Sequence, residues 1–315
     1  MHNNGAQSFP IQPDPKKWKI HWQDSFDTSL LLFITGRCNL NCANCFSVTS
    51  RSNQEMTIGQ IMDIVKANPT FQKVDLMGGE PLLHPQLSRI LRELKSLGKQ
   101  VSIYTNGILL SALSDEDMPI RACISFHEIA SDNPSRKPLM PILNKLEAFA
   151  KRGNPLKLVL LLDQWNAGRA MDIVNFVDQN MPYVRKLTLG LMRYENDYWN
   201  DEYYGVLPFA DYARTIAKIL DTYDGRLSLD IFLKGVLEFD GDPGGLPNRT
   251  NRFKCVFPDN SYSSCLFTAC DKTRSDHLPD SLELPPSHRY CMHTGKKCCL
   301  ADKVRLSRIS EDVSK

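Results

Sequence analysis

Three cysteines at short spacing are the residues of this sequence best suited to bind a metal. Cys38, Cys42 and Cys45 lie within eight residues. Thiolates at this spacing can wrap around one corner of an iron–sulfur cube, but they supply only three of the four ligands that a [4Fe–4S] cluster needs. One iron then remains open to a small molecule. Zinc is the alternative, and it lacks a nearby fourth ligand because no histidine lies between His21 and His84.

Glycine and polar residues follow the next three predicted strands. Gly78-Gly79-Glu80-Pro81 ends the second strand, Thr105-Asn106-Gly107 the third and Ser125 the fourth. The carboxyl ends of strands in α/β sheets are where ligands bind, and glycine lets a ligand approach the backbone closely. Taken alone, these segments are also compatible with a turn bearing an exposed glutamate, an ordinary Asn-Gly turn and a buried serine.

The cysteine spacing, the aromatic Phe46 directly after it and the GGEP segment together resemble the radical S-adenosylmethionine (SAM) superfamily. In that family, the amino and carboxylate groups of SAM fill the open iron site. Reduction of the sulfonium then gives methionine and a 5′-deoxyadenosyl radical that removes a hydrogen atom from the substrate. The resemblance implies a SAM pocket formed by Gly78, Gly79, Glu80, Thr105, Asn106 and Ser125.

Six further cysteines lie near the carboxyl end, and residues 255–265 predict two short strands joined by a Pro-Asp-Asn turn. This pattern resembles the auxiliary-cluster segment called twitch or SPASM, with Asn260 in place of the usual glycine. The resemblance favours a second [4Fe–4S] cluster held by Cys255, Cys265, Cys291 and Cys298, with Cys270 and Cys299 left over. Cys298 and Cys299 are nearly interchangeable in this assignment. Structural zinc, with His277, His288 or His293, and metal-free thiols are the alternatives.

Residues that act on the substrate are expected beside both metal sites. His127 and Glu128 follow Ser125 directly, where a histidine can bind substrate or move a proton, although a surface histidine is the alternative. Arg193 and Glu195 follow the sixth predicted strand in the same way. A thiol beside a second cluster can return a hydrogen atom to a substrate radical. The expected catalytic residues are therefore His127, Cys270 and Cys299.

The type of reaction that we expect depends on the predicted second cluster and the thiols beside it. A cluster that accepts an electron from the substrate radical gives oxidation, whereas a thiol that returns hydrogen gives an epimer. Only 28 residues precede the first predicted strand, fewer than the recognition domain of many peptide-modifying relatives. We therefore expect a small molecule, such as a sugar or natural-product intermediate, rather than a peptide. The alternatives within the enzymes are a peptide-modifying radical SAM enzyme and a radical lyase or methyltransferase. A flavodoxin- or ferredoxin-type protein is the expected electron donor.

Alternating strands and helices are predicted to position these residues. Strands are predicted at 29–35, 73–77, 100–104, 122–126, 157–162 and 186–191, with helices from 57 onward and at 85–97, 138–151, 169–179 and 209–223. Right-handed crossovers then give an α/β fold, a partial (β/α)6 TIM-like barrel with a small Cys-rich carboxyl-terminal appendage. The expected parts are an extension at 1–28, the barrel at 29–240 and the appendage at 241–315.

Composition excludes some classes of protein. The net charge is +2 without a long basic run, and no helix with basic residues is suited to reading nucleic acid, so nucleic-acid binding is not expected. An electron-transfer protein would not need an open iron and GGEP. The polar start and the lack of 18 uninterrupted apolar residues argue against a signal peptide or membrane span. We therefore expect a cytoplasmic location, a reducing compartment in which the ten cysteines are not expected to form a disulfide framework.

Overall fold

The structure is a computed structural model of the 315-residue chain. It describes residues 13–22, 29–42, 45, 52–118, 120–133, 136–191, 205, 207–232, 253–258, 262–263 and 303–308.

The described residues form one eleven-stranded sheet in the order β1-β11-β8-β7-β6-β5-β4-β3-β2-β9-β10. Neighbouring strands from β2 to β8 are parallel, as is β9 beside β2, whereas β1, β10 and β11 pair in the antiparallel sense. The strands are β1 Trp18–Trp22, β2 Ser29–Thr35, β3 Lys73–Gly78, β4 Gln100–Thr105, β5 Arg121–Phe126, β6 Leu156–Leu162, β7 Lys186–Leu191, β8 Ser228–Phe232, β9 Phe253–Val256, β10 Tyr262–Ser263 and β11 Lys303–Arg308.

Helices connect the parallel strands and cover one face of the sheet. They are α1 Ile58–Ala67, α2 Leu87–Ser96, α3 Leu143–Lys151, α4 Ala170–Asn180 and α5 Phe209–Thr222. Helix α1 begins at a capping box, in which Thr57 and Gln60 each accept a hydrogen bond from the other's backbone N–H. Two short 3-10 turns, Leu110–Ala112 and Asp115–Asp117, connect β4 to β5.

Alternation along the strands separates an apolar face from a polar one. Ile124, Leu160 and Leu189 belong to the buried cluster that packs against the helices. The residues between them therefore point to the opposite, inner face of the curved sheet. This inner face carries polar residues on β3, β4, β5, β7 and β8, namely Asp75, Ser102, Tyr104, Cys123, Ser125, Thr188 and Asp230, whereas β6 presents Val159 and Leu161 there.

The sheet also includes segments on both sides of the predicted barrel. Trp18 of β1 is buried, donates its Nε1–H to the Leu220 carbonyl at 2.8 Å and stacks on Tyr223 at 6.3 Å between ring centroids. Strand β11 lies between β1 and β8. On the other side, Phe257 stacks on Phe33 of β2 at 4.5 Å.

The predicted α/β class and partial TIM-like barrel are confirmed, and all six predicted strands are present to within one residue at each end. Strand β8 adds a seventh parallel strand that the sequence did not reveal. The predicted hairpin is present as β9 and β10, in which Cys255 lies opposite Ser263. The division at 28 and 240 stays a prediction, although the sheet continues across both positions. None of the described helices is long and apolar enough to cross a membrane.

Candidate active site

The loop that carries the three cysteines begins where β2 ends. Cys42 is buried, whereas Cys38 and Cys45 are partly exposed. The Leu40 amide lies 3.4 Å from Cys38 Sγ, in a position to donate a hydrogen bond to it. Such a contact favours the thiolate, which is the form of cysteine that binds metals. The loop is joined to the end of β4 because Asn106 Nδ2 donates to Asn39 Oδ1 at 2.7 Å.

Gly78 and Gly79 bring the end of β3 into direct backbone contact with this loop. A Cβ on Gly79 would lie 2.2 Å from the Arg37 carbonyl oxygen, and one on Gly78 would lie 2.2 Å from that of Thr35. Gly78 also has φ +143°, which disfavours other residues. The approach lets Glu80 N–H donate to the Arg37 carbonyl at 2.7 Å. The GGEP segment is therefore fixed against the backbone next to Cys38.

The Glu80 carboxylate is buried at the end of β3 and accepts three hydrogen bonds. Thr105 Oγ1 and the Leu82 amide donate to Oε1 at 2.7 and 3.1 Å, and the Asn106 amide donates to Oε2 at 2.8 Å. Burial raises the pKa of Glu80 above its ordinary value, whereas these three donors and the charge of Lys137 lower it. A cation bound here would favour the charged carboxylate further.

Ser125 lies at the end of β5 beside a lysine that the sequence did not single out. Lys137 Nζ donates to Ser125 Oγ at 3.0 Å, and its charge also acts on Glu80. The predicted pocket residues Glu80, Thr105, Asn106 and Ser125 are thus joined by direct hydrogen bonds or through Lys137. The only sequence signal for Lys137 is its place just before a helix that follows β5.

His127 is buried rather than on the surface, being 2% exposed. Its Nδ1 accepts a hydrogen bond from the Lys137 amide at 3.1 Å, and its Nε2 has no partner among the described residues. Burial, followed by the positive charges of Lys137 and Arg136, holds the pKa of His127 well below its ordinary value. The ring is therefore neutral, with its proton on Nε2.

A buried ion cluster that the sequence did not predict joins the loops after β5 and β6. Arg136 Nε lies 2.6 Å from Glu128 Oε1, and its NH1 donates to Asp163 at 2.5 Å. Arg169 NH2 contacts the other oxygen of Glu128 at 3.1 Å, and the Arg136 guanidinium lies 5.2 Å from the centre of the Trp165 ring. Burial raises the pKa of Asp163, and Arg136 opposes this change. Glu128 is therefore an ion-pair partner in this structure.

The second predicted metal site lies almost entirely outside the described residues. Cys265, Cys270, Cys291, Cys298 and Cys299 are not described, nor are Phe46, Arg193 and Glu195; of Cys255 only the backbone is described. The auxiliary cluster, its ligands and the two thiol donors stay predictions.

The first site fits an iron–sulfur cluster by the chemistry of its donors. Three soft thiols on one loop, at the carboxyl end of a strand, suit iron or zinc rather than magnesium or calcium. Within the described part of the chain, no three Cys, His, Asp or Glu side chains are gathered into a metal-binding group. Residues 43, 44 and 46–51 of this loop are not described. Cys38, Cys42 and Cys45 therefore stay predicted ligands.

Comparison with known families identifies the region that contains this site. Residues 32–164 match the family described as Radical SAM superfamily. The matched range includes Cys38, Cys42 and Cys45 and the whole predicted SAM pocket. The match supports a [4Fe–4S] cluster and SAM as cofactors, and radical cleavage of SAM as the chemistry.

Curated relatives match over part of their length. A probable GTP 3′,8-cyclase of Methanothermobacter marburgensis is 38% identical over 97 residues, which are 30% of this chain and 31% of that protein. One of Sulfurisphaera tokodaii is 30% identical over 159 residues, 47% of this chain and 51% of that protein. The chain thus spans about a third to a half of the length of these relatives.

Solved structures share the fold. SuiB of Streptococcus suis bound to S-adenosylmethionine has a TM-score of 0.62 at 14% identity, covering 80% of this chain and 63% of that one. The protein anSMEcpe with bound AdoMet and a peptide has a TM-score of 0.61 at 18% identity, covering 83% of this chain and 81% of that one. At these identities, the likeness concerns the fold alone.

Proposed function

We propose that this chain is a radical SAM enzyme, which reductively cleaves SAM and uses the resulting 5′-deoxyadenosyl radical to remove a hydrogen atom from a substrate. The observation that carries the proposal is the position of Glu80. Its backbone N–H donates to the Arg37 carbonyl of the cysteine loop, and its buried carboxylate lies at the strand end, inside the region that matches the radical SAM superfamily.

The residues around Glu80 have separate tasks in this proposal. Glu80 Oε2 accepts one hydrogen bond among the described residues, so it retains a lone pair for the SAM ammonium group. Thr105 and Asn106 fix the carboxylate by donating to its two oxygens. Ser125, held by Lys137, lies on the neighbouring strand, where the ribose or carboxylate of SAM would lie. A [4Fe–4S] cluster on Cys38, Cys42 and Cys45 would supply the electron that cleaves the sulfonium, with a flavodoxin- or ferredoxin-type protein as its reductant.

The proposed substrate is a small molecule, and the proposed outcome is oxidation or epimerisation. The inner face of the barrel supports a small polar substrate because β3, β4, β5, β7 and β8 each present polar residues on it. An auxiliary cluster held by Cys255, Cys265, Cys291 and Cys298 would accept the electron that an oxidation releases. Alternatively, Cys270 or Cys299 would return a hydrogen atom.

SAM cleavage tests the core of the proposal. Anaerobically reconstituted wild type, reduced with dithionite, is expected to release 5′-deoxyadenosine and methionine. A Cys38/Cys42/Cys45→Ala variant should release neither. A Cys123→Ala variant is the matched control, because burial raises the pKa of this thiol to about 11 and keeps it protonated. Cleavage that survives loss of the three loop cysteines would contradict the proposal.

Iron content tests the second cluster in the same samples. Two clusters correspond to about eight irons per chain in wild type and about four in the triple variant. If wild type holds about four irons and the variant loses all of them, there is no auxiliary cluster, and the proposed route to oxidation is excluded.

Product mass then separates the reactions. Oxidation removes two hydrogen atoms, methylation adds a methyl group, and epimerisation leaves the mass unchanged while incorporating one deuteron in deuterated water. GTP belongs in the substrate panel because the curated relatives are named GTP 3′,8-cyclases. If GTP is converted to an isomer that carries no deuterium, the reaction is a cyclisation and not an epimerisation.

A further inference from the structure

Two buried side chains, one directly after β5 and one on the inner face of β7, have hydrogen-bonding atoms without a partner in the described residues. They are Nε2 of His127 and Oγ1 of Thr188. His127 is 2% exposed and Thr188 is fully buried. An unpaired buried donor or acceptor destabilises a folded protein, so such groups need an explanation. Two of them, two strands apart in one sheet, suggest that a ligand supplies the missing hydrogen bonds.

The chemistry of His127 defines what it can bind. Its Nδ1 accepts from the Lys137 amide, which assigns the proton of the neutral ring to Nε2. Burial and the nearby Lys137 and Arg136 charges keep the ring neutral. His127 therefore offers one neutral N–H donor. This donor matches an uncharged oxygen better than a phosphate or carboxylate, which would favour a cationic partner.

The strand register places the two groups within reach of one small molecule. Ser125 of β5 pairs with Val159 of β6, which pairs with Thr188 of β7. Thr188 is thus level with Ser125, and His127 lies two residues nearer the carboxyl end. With strands about 4.8 Å apart and a rise of about 3.3 Å per residue, the two backbones are about 12 Å apart in a flat sheet, and closer in a curved one.

We propose that His127 Nε2 and Thr188 Oγ1 bind hydroxyl or ring oxygens of a sugar or nucleoside substrate. The hydroxyl of Thr188 both donates and accepts, as a substrate hydroxyl does. The site borders Ser125 on the side away from β2 to β4. A substrate bound there lies next to the proposed SAM pocket without occupying it. This inference rests on the proposed function and names the substrate class for it.

The first test needs no ligand. Thr188→Val has nearly the same shape and removes the unpaired hydroxyl, so we expect its Tm to equal or exceed that of wild type. Thr215→Val is the matched control, because Thr215 Oγ1 donates to the Asp211 carbonyl at 2.8 Å and its loss should not raise the Tm. A clear fall in the Tm of Thr188→Val would show that this hydroxyl is already satisfied, and would overturn the inference.

The second test measures binding of guanosine and of methyl β-D-glucoside by equilibrium dialysis with the reconstituted full chain and SAM. We expect at least one probe to bind wild type, and to bind Thr188→Val and His127→Asn up to about tenfold more weakly. Asn can replace Nδ1 as an acceptor but offers nothing at Nε2. Gln can place an N–H near Nε2, so His127→Gln should bind within about threefold of wild type.

Three outcomes of the binding test would overturn the inference. The first is that neither probe binds wild type, and the second is that the variants bind as tightly as wild type. The third is that His127→Asn rather than His127→Gln binds like wild type. The last outcome would show that His127 only holds the Lys137 backbone. Reductive SAM cleavage by wild type, measured without a probe, reports separately on the proposed function. If wild type does not cleave SAM, the proposed function is contradicted. If wild type cleaves SAM normally but binds neither probe, only the inference about His127 and Thr188 is contradicted.

Discussion

At the scale of single residues, the site depends on buried polar groups whose environments differ. Glu80 is buried but surrounded by three donors, of which only the Asn106 amide donates to Oε2. His127 is buried beside Lys137 and Arg136, which keep it uncharged. Burial thus favours the neutral form of both groups, and at Glu80 the three donors and the charge of Lys137 oppose it.

Glu80→Gln is expected to weaken SAM binding by roughly ten- to a hundred-fold. The substitution keeps the shape and removes the charge, and a hydrogen bond to a charged group is worth about 1.5–3 kcal/mol. Equilibrium dialysis with reconstituted protein measures the effect. Glu116→Gln is the control, because its side chain is 80% exposed and far along the chain from the loop. Equal SAM affinity in Glu80→Gln and wild type would contradict the role of this carboxylate.

Acid is expected to destabilise wild type more than His127→Asn. Because the folded-state pKa of His127 is depressed, the unfolded chain binds more protons below the ordinary pKa of about 6.5, and stability falls as pH decreases from there. The slope is at most about 1.4 kcal/mol per pH unit. Between about pH 7.5 and about pH 5.5, the Tm of wild type should therefore fall about 2–4 °C more than the Tm of His127→Asn.

The raised pKa values of Glu80, Asp75 and Asp163 act in both proteins of this comparison and so cancel in the difference. Parallel Tm curves for wild type and His127→Asn would mean that His127 titrates normally in the folded protein.

At the scale of elements, the site is made by strand ends and the loops that follow them. The end of β3 reaches the cysteine loop through Gly79 and Glu80, and the end of β4 reaches it through Asn106. Arg136 joins the loops after β5 and β6 through two carboxylates. These contacts join neighbouring strands, except that Asn106 reaches past β3 to the loop after β2, so the order of strands determines which side chains meet.

Gly79→Ala is expected to separate the end of β3 from the cysteine loop. Its Cβ would meet the Arg37 carbonyl at 2.2 Å, and such overpacking costs about 1–3 kcal/mol or more. We expect a lower Tm and less iron bound after reconstitution. Gly168→Ala is the matched control, because its Cβ would meet nothing within 4 Å. If both variants retain wild-type Tm and iron, the close approach at Gly79 is unimportant.

Arg136→Met is expected to destabilise the protein by about 3–5 kcal/mol, because Glu128 and Asp163 then lose their buried partner. Urea unfolding followed by circular dichroism measures the loss. Arg92→Met removes an exposed ion pair with Glu116 and should cost about 0–1 kcal/mol. Similar urea midpoints for the two variants would show that the buried cluster adds no stability.

At the scale of the whole molecule, the sheet extends beyond the parallel barrel strands. Strands β1 and β11 continue it past β8, and the hairpin of β9 and β10 continues it past β2. Residues near both ends of the described chain thus belong to the same sheet as the site. Trp18 attaches this extension by packing on α5 and Tyr223.

Trp18→Ala is expected to lower the free energy of unfolding of the whole domain by about 3–5 kcal/mol, since it removes a buried aromatic side chain and its hydrogen bond. The urea midpoint measures it. Leu97→Ala is the control, because Leu97 is 40% exposed and its truncation should change stability by about 0.5 kcal/mol or less. An unchanged midpoint for Trp18→Ala would mean that β1 is a peripheral arm.

The sequence by itself determined the features that depend on residues close together in the chain. The cysteine spacing, the GGEP segment, the six strands and the start of α1 at residue 57 are all local patterns. The β9–β10 hairpin was predictable for the same reason. From these patterns the α/β class followed, and so did the expectation that Glu80, Thr105, Asn106 and Ser125 would meet at one edge of the sheet.

Only the tertiary structure decided the contacts between distant residues. Arg136 meets Asp163 across 27 residues, and Arg169 meets Glu128 across 41. The burial of His127 and Thr188, and the place of β1 and β11 in the sheet, depend on strand order and curvature. Local periodicity does not predict these contacts or this strand order, because hydrophobic alternation shows which face of the sheet a residue lies on but not which residue lies opposite it.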